Sequence, residues 1–236
     1  MTIAILLSGG TGTRLGAEIP KQYLRIADRM IITYSLKTLL EHSEIDGVLI
    51  VAELEWRERI LTDIKHLEQN TNKIISFAVP GVTRQFSIFN ALQEVKKINF
   101  EVKNILIHDA ARPNLATDMI TKCVVALKEN DGVLPVLPMK DTIYYSENGS
   151  SVSQLLDRSR LFAGQAPEGF RFQEYYKANQ SLLPNRLKEI NGSTEPAVLA
   201  GMDVAMIAGD ENNFKITTKA DLERFRIQVE GVEQVL

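Results

Sequence analysis

An apolar run that passes straight into glycines constrains this chain more than any other feature. Residues 2–24 read TIAILLSGGTGTRLGAEIPKQYL. Ile3–Leu7 predicts a buried strand, followed at once by Ser8, Gly9, Gly10, Thr11, Gly12, Thr13 and Arg14, with Lys21 a little further on. Glycines after a strand let the backbone approach a ligand and turn its N–H groups inward, which suits an anion. Arg14 and Lys21 add positive charge, so the loop is expected to hold a nucleoside triphosphate. The dinucleotide pattern GxGxxG fails, because starting at Gly10 the third glycine position is Leu15 and Gly16 comes one residue late. The GxxxxGK[ST] loop fails as well, for want of Gly-Lys-Ser or Gly-Lys-Thr. A plain turn does not require three glycines within four residues.

The 236 residues suit one large α/β domain spanning 1–236, with length enough for a sizeable core. A formal charge of -3 gives no reason to expect a nucleic-acid partner. Cys123 is the only cysteine, so no internal disulfide can form; this fits a cytosolic, cytoplasmic setting and makes a structural zinc site implausible. The N-terminal apolar run is too short for a signal peptide or a membrane span.

Periodicity predicts alternating strands and helices through the first half. Helices are expected around Ile32–Leu40, Trp56–Leu67, Phe86–Val95 from near Thr83, and Ile120–Leu127. Strands are expected at Val48–Ala52, Ile74–Val79, Ile105–Ile107 and Val133–Leu137. This is the pattern of a Rossmann-like, mostly parallel sheet with helices on both faces, whose ligands sit beyond the carboxyl ends of the strands. The glycine loop, the Pro80–Ser87 turn and the His108–Pro113 turn all follow strands, so they can converge on one site. After Lys140 the pattern changes: residues 141–160 predict a β-hairpin arm with Asn148-Gly149 in its turn. Beyond it, Phe170–Leu183 predicts a helix, Val204–Ile207 and Phe214–Ile216 two strands, and the Thr218/Asp221 pair a cap on the last helix.

Several residues could carry chemistry. In ILIHDAARPNL, Asp109 stands at a strand end beside small residues, where it can take a metal or hydroxyls while Arg112 holds a phosphate; equally, the two can form an ion pair that locks the turn. His108 reads as a hydrogen-bonded structural imidazole. Gly81 allows close approach of a flat base, and Arg84 and Ser87 fall in the first turn of a helix, where they either contact a ligand or cap the helix. Arg158, Arg160 and Lys215 are phosphate-ligand candidates, with Lys215 the most suggestive because it lies between Phe214 and Ile216.

Taken together, SGGTGTRLG, PKQYL, GVTRQFS, HDAARP, KDTI, DRSRLF, QAPEGF and FKIT resemble, in order, the cytidylyltransferases that activate methylerythritol 4-phosphate or ribitol 5-phosphate. The resemblance implies that CTP and a polyol phosphate give a CDP-polyol and pyrophosphate, serving isoprenoid or cell-wall polysaccharide (teichoic acid) synthesis. It implies that Arg14 and Lys21 stabilise the reacting phosphorus, and that Leu7, Ser8, Gly9, Gly10, Thr11, Gly12, Gly81, Arg84, Ser87 and Ala110 line the nucleotide. Asp109, Arg112, Arg158, Thr194 and Lys215 would hold the polyol phosphate. Mg²⁺ would bridge the triphosphate with Asp109 beside it, and a homodimer would form through the arm. Departures from the family fall at Val82, at Ala166 where relatives carry Thr, and in GSTEPAVLAG around Thr194 and Glu195. The SGG opening and Gly164-Gln165 lean toward the ribitol branch. Two other readings are a nucleotidyltransferase on a different triphosphate and sugar phosphate, and a non-catalytic protein that binds CTP or a CDP-polyol.

Overall fold

The computed structural model describes residues 1–10, 19–65, 71–98 and 100–233. The expected first strand is β1 (Thr2–Leu7), followed by a short antiparallel pair, β2 (Arg25–Ile26) and β3 (Arg29–Met30). Four strand–helix alternations then run α1 (Ile31–Glu41), β4 (Gly47–Val51), α2 (Leu54–Lys65), β5 (Ile74–Ala78), α3 (Arg84–Lys96), β6 (Asn104–Asp109), α4 (Thr117–Ala126) and β7 (Gly132–Pro138). The arm is β8 (Ile143–Tyr145) paired antiparallel with β9 (Gln154–Leu156). After it come β10 (Phe162–Gly164), β11 (Glu168–Arg171), α5 (Phe172–Gln180), α6 (Glu195–Leu199), β12 (Val204–Ala208) and α7 (Lys219–Glu233).

The main sheet runs β10-β7-β11-β6-β1-β4-β5, with β12 also on β7. The β6, β1, β4 and β5 strands are mutually parallel, so their carboxyl ends, and the loops that follow, lie on one edge. Alternate residues of a strand face opposite sides. Ala4 and Leu6 of β1 therefore join α1, α2 and α4 in one apolar layer, while Ile3 and Ile5 join α3 and α5 in the other. A sheet covered on both faces explains why its central strands read as unbroken apolar runs rather than alternating ones. A third cluster of Ile26, Ile31, Ile216 and Phe225 seats α7.

The expected start of α3 near Thr83 and the expected Thr218/Asp221 cap are both present. Thr83 caps α3, accepting from the Phe86 N–H at 3.3 Å. Asp221 accepts from the Thr217 and Thr218 N–H groups while its own N–H donates to Thr218 Oγ1, closing the cap on α7. Cys123 is buried on α4, and burial pushes its thiol up to about 12, so it serves as core filler.

Two expectations change. The helix expected over Phe170–Leu183 starts at Phe172, because Glu168–Arg171 form β11, antiparallel to both β6 and β7 in the middle of the sheet. Gly169 makes this close packing possible: a Cβ there would lie 2.7 Å from Val133 and 2.9 Å from Leu106. Phe214–Ile216 forms no strand; the Ile216 N–H donates instead to the Ala111 carbonyl at 2.8 Å. Among the described residues, no helix is long and apolar enough to cross a membrane.

Candidate active site at the carboxyl ends of the parallel strands

The loop after β1 is held from below. The Ser8 N–H and Oγ–H both donate to the Val51 carbonyl, at 3.0 and 2.6 Å. The Gln22 amide donates to the carbonyls of Ser8 at 2.5 Å and Gly10 at 2.8 Å, and the Tyr23 hydroxyl donates to Ser8 O at 3.0 Å. Tyr23 in turn stacks on Trp56 at 4.0 Å. PKQYL thus anchors the loop as well as supplying Lys21, and nothing in the sequence marked Gln22 or Tyr23 for that task. Drawing the Ser8 and Gly10 carbonyls onto these donors takes two acceptors out of a ligand's way, which suits a loop that holds an anion. Thr11, Gly12 and Arg14 lie outside the described residues.

The loop after β5 packs directly against this one. A Cβ on Gly9 would lie 2.5 Å from the Pro80 side chain, and one on Gly81 would lie 2.4 Å from Phe86 Cβ and 2.7 Å from its backbone. Glycine at both places is therefore steric necessity as well as access. The Gly81 N–H donates to Ser87 Oγ at 2.9 Å, and Ser87 passes its own hydrogen to the Thr83 carbonyl at 3.0 Å.

The third wall is Asp109, at the end of β6 and 8% exposed. Its Oδ1 accepts from Arg84 Nε and Nη2 at 3.3 and 3.1 Å; its Oδ2 accepts from Lys215 Nζ at 2.9 Å, with Arg112 Nε 3.7 Å away. Burial alone would raise the Asp109 carboxyl, but Arg84, Lys215 and Arg112 together hold it well below the usual carboxylate range. The sequence left open whether Asp109 and Arg112 bind a ligand or pair with each other, and the structure shows the pair within a larger cluster. Lys215 reaches it without a strand: Arg112 Nη1 and the Gln165 amide donate to the Asn213 carbonyl at 2.7 and 3.4 Å, while Ile216 is tied to Ala111.

These walls enclose a cavity of about 430 Å³. Of the residues singled out from the sequence, Leu7, Ser8, Gly9, Gly10, Lys21, Gly81, Arg84, Ser87, Asp109 and Lys215 line it. Ala110 sits behind the wall, its N–H on the Leu7 carbonyl, and Ala111 takes the lining place. Arg112 stands one contact back, on Asp109. Thr194 is connected through Glu168 and Ser193 to Arg84. Arg158 is apart from the cavity, exposed beside the arm, with Nη1 on the Lys140 carbonyl at 2.6 Å. Among the described residues, no group of three or more His, Cys, Asp or Glu side chains could hold a metal ion.

His108 points to the face opposite Asp109 and donates from Nε2 to the Arg112 carbonyl at 3.0 Å. Burial lowers its imidazole from 6.5 to about 4, so it is neutral at physiological pH and serves as the structural imidazole expected of it. Between those values the unfolded chain binds a proton that the folded chain does not, so stability falls with falling pH across that window. The full effect is roughly 3 kcal/mol, and the Asp109 contribution is lost only below the ordinary aspartate range. Urea unfolding between pH 7.5 and 4 should show this loss. His108→Gln, which keeps a donor for Arg112, should reduce the pH-dependent part by roughly 1–3 kcal/mol; an unchanged slope would contradict the assignment.

Comparison with known proteins agrees with this geometry. The family described as IspD, 2-C-methyl-D-erythritol 4-phosphate cytidylyltransferase, matches residues 2–230. The Thermotoga neapolitana 2-C-methyl-D-erythritol 4-phosphate cytidylyltransferase is 32% identical over 100% of both chains. A bifunctional IspD/IspF enzyme of Paramagnetospirillum magneticum is 34% identical over 99% of this chain, which spans 58% of that relative's length. The Lactiplantibacillus plantarum ribitol-5-phosphate cytidylyltransferase is 29% identical over 94% of this chain and 95% of its own. In fold, the 4-diphosphocytidyl-2C-methyl-D-erythritol synthase of Anaerococcus prevotii superposes with a TM-score of 0.83 at 21% identity, covering 97% of this chain and 96% of that one. A glycine loop and a cationic cluster meeting at the parallel strand ends, in a chain matched along nearly its whole length, place this protein in the IspD cytidylyltransferase family.

Proposed function

We propose that residues 1–236 act as one cytidylyltransferase domain that joins CTP to a polyol phosphate, releasing pyrophosphate and a CDP-polyol. The observation that carries this reading is the meeting of the glycine loop and Lys21 with the Asp109 cluster across one cavity. Three cations face the carboxylates of Asp109 and Glu168, and Lys21 brings a further positive charge to the wall. Such a site suits two phosphorylated substrates.

In this reaction a phosphate oxygen of the polyol phosphate attacks the α-phosphorus of CTP in line. The bond from that phosphorus to the bridging oxygen breaks, and its electron pair leaves with pyrophosphate. No side chain becomes covalently bonded, so the protein's work is positioning and charge stabilisation. Leu7, Ser8, Gly9, Gly10, Gly81 and Ser87 hold the nucleotide, with Thr11 and Gly12 continuing the loop. Arg14 and Lys21 stabilise the charge that builds on the phosphorus and the leaving group. Lys215, poised on Asp109, orients the attacking phosphate with Arg112, and Arg84 fixes Asp109 from the nucleotide side. Both Asp109 oxygens are engaged by cations, and among the described residues no metal-ligating cluster surrounds them. A bound Mg²⁺ would neutralise triphosphate charge, and Asp109, the one metal ligand expected from the sequence, would have to share its carboxylate with these cations.

For the polyol, ribitol 5-phosphate is favoured slightly by the SGG opening and Gly164-Gln165. Methylerythritol 4-phosphate is the second reading, supported by the family match and the Thermotoga relative. Pyrophosphate release should be measured with CTP, Mg²⁺ and a panel of tetritol, pentitol and hexitol phosphates. Turnover with one of them, and with CTP above UTP, GTP and ATP, is expected. No release with any would overturn the reading.

Arg158 lies outside its own chain's cavity, and Tyr144, Tyr145, Val152 and Leu155 of the arm are exposed. Both features support a homodimer in which the arm carries Arg158 into the partner's cavity. Mixing inactive Lys21→Ala and Arg158→Ala proteins should then restore up to about a quarter of wild-type turnover, through mixed dimers that pair intact Lys21 with intact Arg158. No recovery on subunit exchange would exclude the shared site.

A further inference from the structure

Gln165, noted in the sequence only for the branch toward which it leans, has a task that the sequence does not show. It directly follows β10, its own N–H donating to the Pro135 carbonyl of β7 at 2.8 Å, and it is 6% exposed. Of the described residues, Lys215 lines the cavity and Gln165 does not. The Gln165 side chain instead enters the turn 210–213, which ends two residues before Lys215. Its Nε2 donates to the Asp210 carbonyl at 2.9 Å and to the Asn213 carbonyl at 3.4 Å, while its Oε1 accepts from the Asp210 N–H at 2.9 Å. Asn213, 1% exposed, reaches back with Nδ2 on the Ala166 carbonyl at 2.5 Å.

A side-chain amide carries two hydrogens on its nitrogen and accepts only at its oxygen. Two carbonyls on one side and an N–H on the other therefore leave Gln165 a single orientation. Glu at this place would set lone pairs against both carbonyls, and Met would offer neither donor nor acceptor. The fit is close, since a Cβ on Gly209 would lie 2.4 Å from Gln165 Oε1. The other side-chain tie on the turn, Lys140 to Glu211, joins two exposed groups and holds it weakly by comparison. Arg112 Nη1 donates to the same Asn213 carbonyl as Gln165, so the amide and the Asp109 cluster meet on one oxygen. Beyond it the chain forms no strand before Lys215 Nζ reaches Asp109 Oδ2 at 2.9 Å.

We propose that Gln165 is a positioning residue for the transfer reaction: its amide fixes the 210–213 turn so that Lys215 stands at Asp109, ready for the attacking phosphate. The inference rests on the role given to Lys215 under the polyol-phosphate reading, and adds what holds that lysine in place.

Gln165→Met, close in size and without the amide, tests it alone and combined with Lys215→Ala. Steady-state kinetics should be measured with CTP and the preferred polyol phosphate, with melting temperature as a check on the fold. Gln165→Met should lower kcat/KM for the polyol phosphate about tenfold or more while KM for CTP stays within about twofold. In the Lys215→Ala background the same change should cost less than about twofold, because a residue that acts through Lys215 has nothing left to position. A merely structural role would carry its full loss into that background. Gly209→Ala, whose methyl would displace the amide, should reproduce the selective loss. An unchanged kcat/KM in Gln165→Met, a loss that persists without Lys215, or an equal rise in KM for CTP would overturn the proposal. If Gln165→Met fails to fold, Gly209→Ala decides alone, and an unchanged kcat/KM for the polyol phosphate overturns the proposal. Lys215→Ala as active as wild type would instead defeat the functional reading of Lys215, and this inference with it.

Discussion

One buried carboxylate holds this site together. Desolvating Asp109 would by itself favour the neutral acid; three cations reverse that preference and keep it ionised. The converse holds for the cations, since Arg112 is largely and Arg84 partly withdrawn from water, and both keep their charge beside Asp109 and Glu168. Each cation arrives from a different stretch of chain: Arg84 from the first turn of α3, Arg112 from the turn after β6, and Lys215 from the segment before α7. Removing one buried partner from such a cluster strands the others, so the loops that carry them are tied to one arrangement. Phosphoryl chemistry asks for charges placed in advance, and this cluster meets that demand before any substrate arrives.

The opposite wall works by exclusion of side chains. Gly9 fits against Pro80 and Gly81 against Phe86 only because neither has a Cβ. Gln22 and Tyr23 occupy the loop carbonyls from beneath. The two walls depend on the same sheet, since β1 lies between β4 and β6 with every residue of its carboxyl half in register. Parallel pairing thus turns three separate sequence motifs into one cavity.

What could be read from the sequence follows the range of the interaction responsible. The strands around β1, the helices between them, the start of α3 near Thr83, the Thr218/Asp221 cap and the arm are specified within a few residues, and each stands close to where periodicity or capping puts it. β11 could not be read so, because its four residues are a strand only by virtue of β6 and β7 on either side. Phe170 shows why: its apolar side chain suits helix and strand alike, and the sheet partners that decide between them, Ile105 and Gly132, lie far away in sequence. Lys215 was picked out for lying in a strand; its neighbours are in fact held by Ala111, Arg112 and Gln165, contacts spanning about fifty to a hundred residues. Glu168 carried no local signal, since its meaning comes from Ile107 across the sheet and from Ser193 and Thr194 far along the chain.

The cluster around Asp109 is open to a direct measurement. Asp109→Asn keeps the shape of the side chain and removes the charge that gathers Arg84, Arg112 and Lys215. Turnover of CTP with the preferred polyol phosphate should be compared in wild type and variant, with melting temperature and CTP binding as checks on the fold. If Asp109 organises the site, kcat/KM for the polyol phosphate falls by about a hundredfold or more while CTP still binds. A variant that folds, binds CTP and turns over within about threefold of wild type would contradict it.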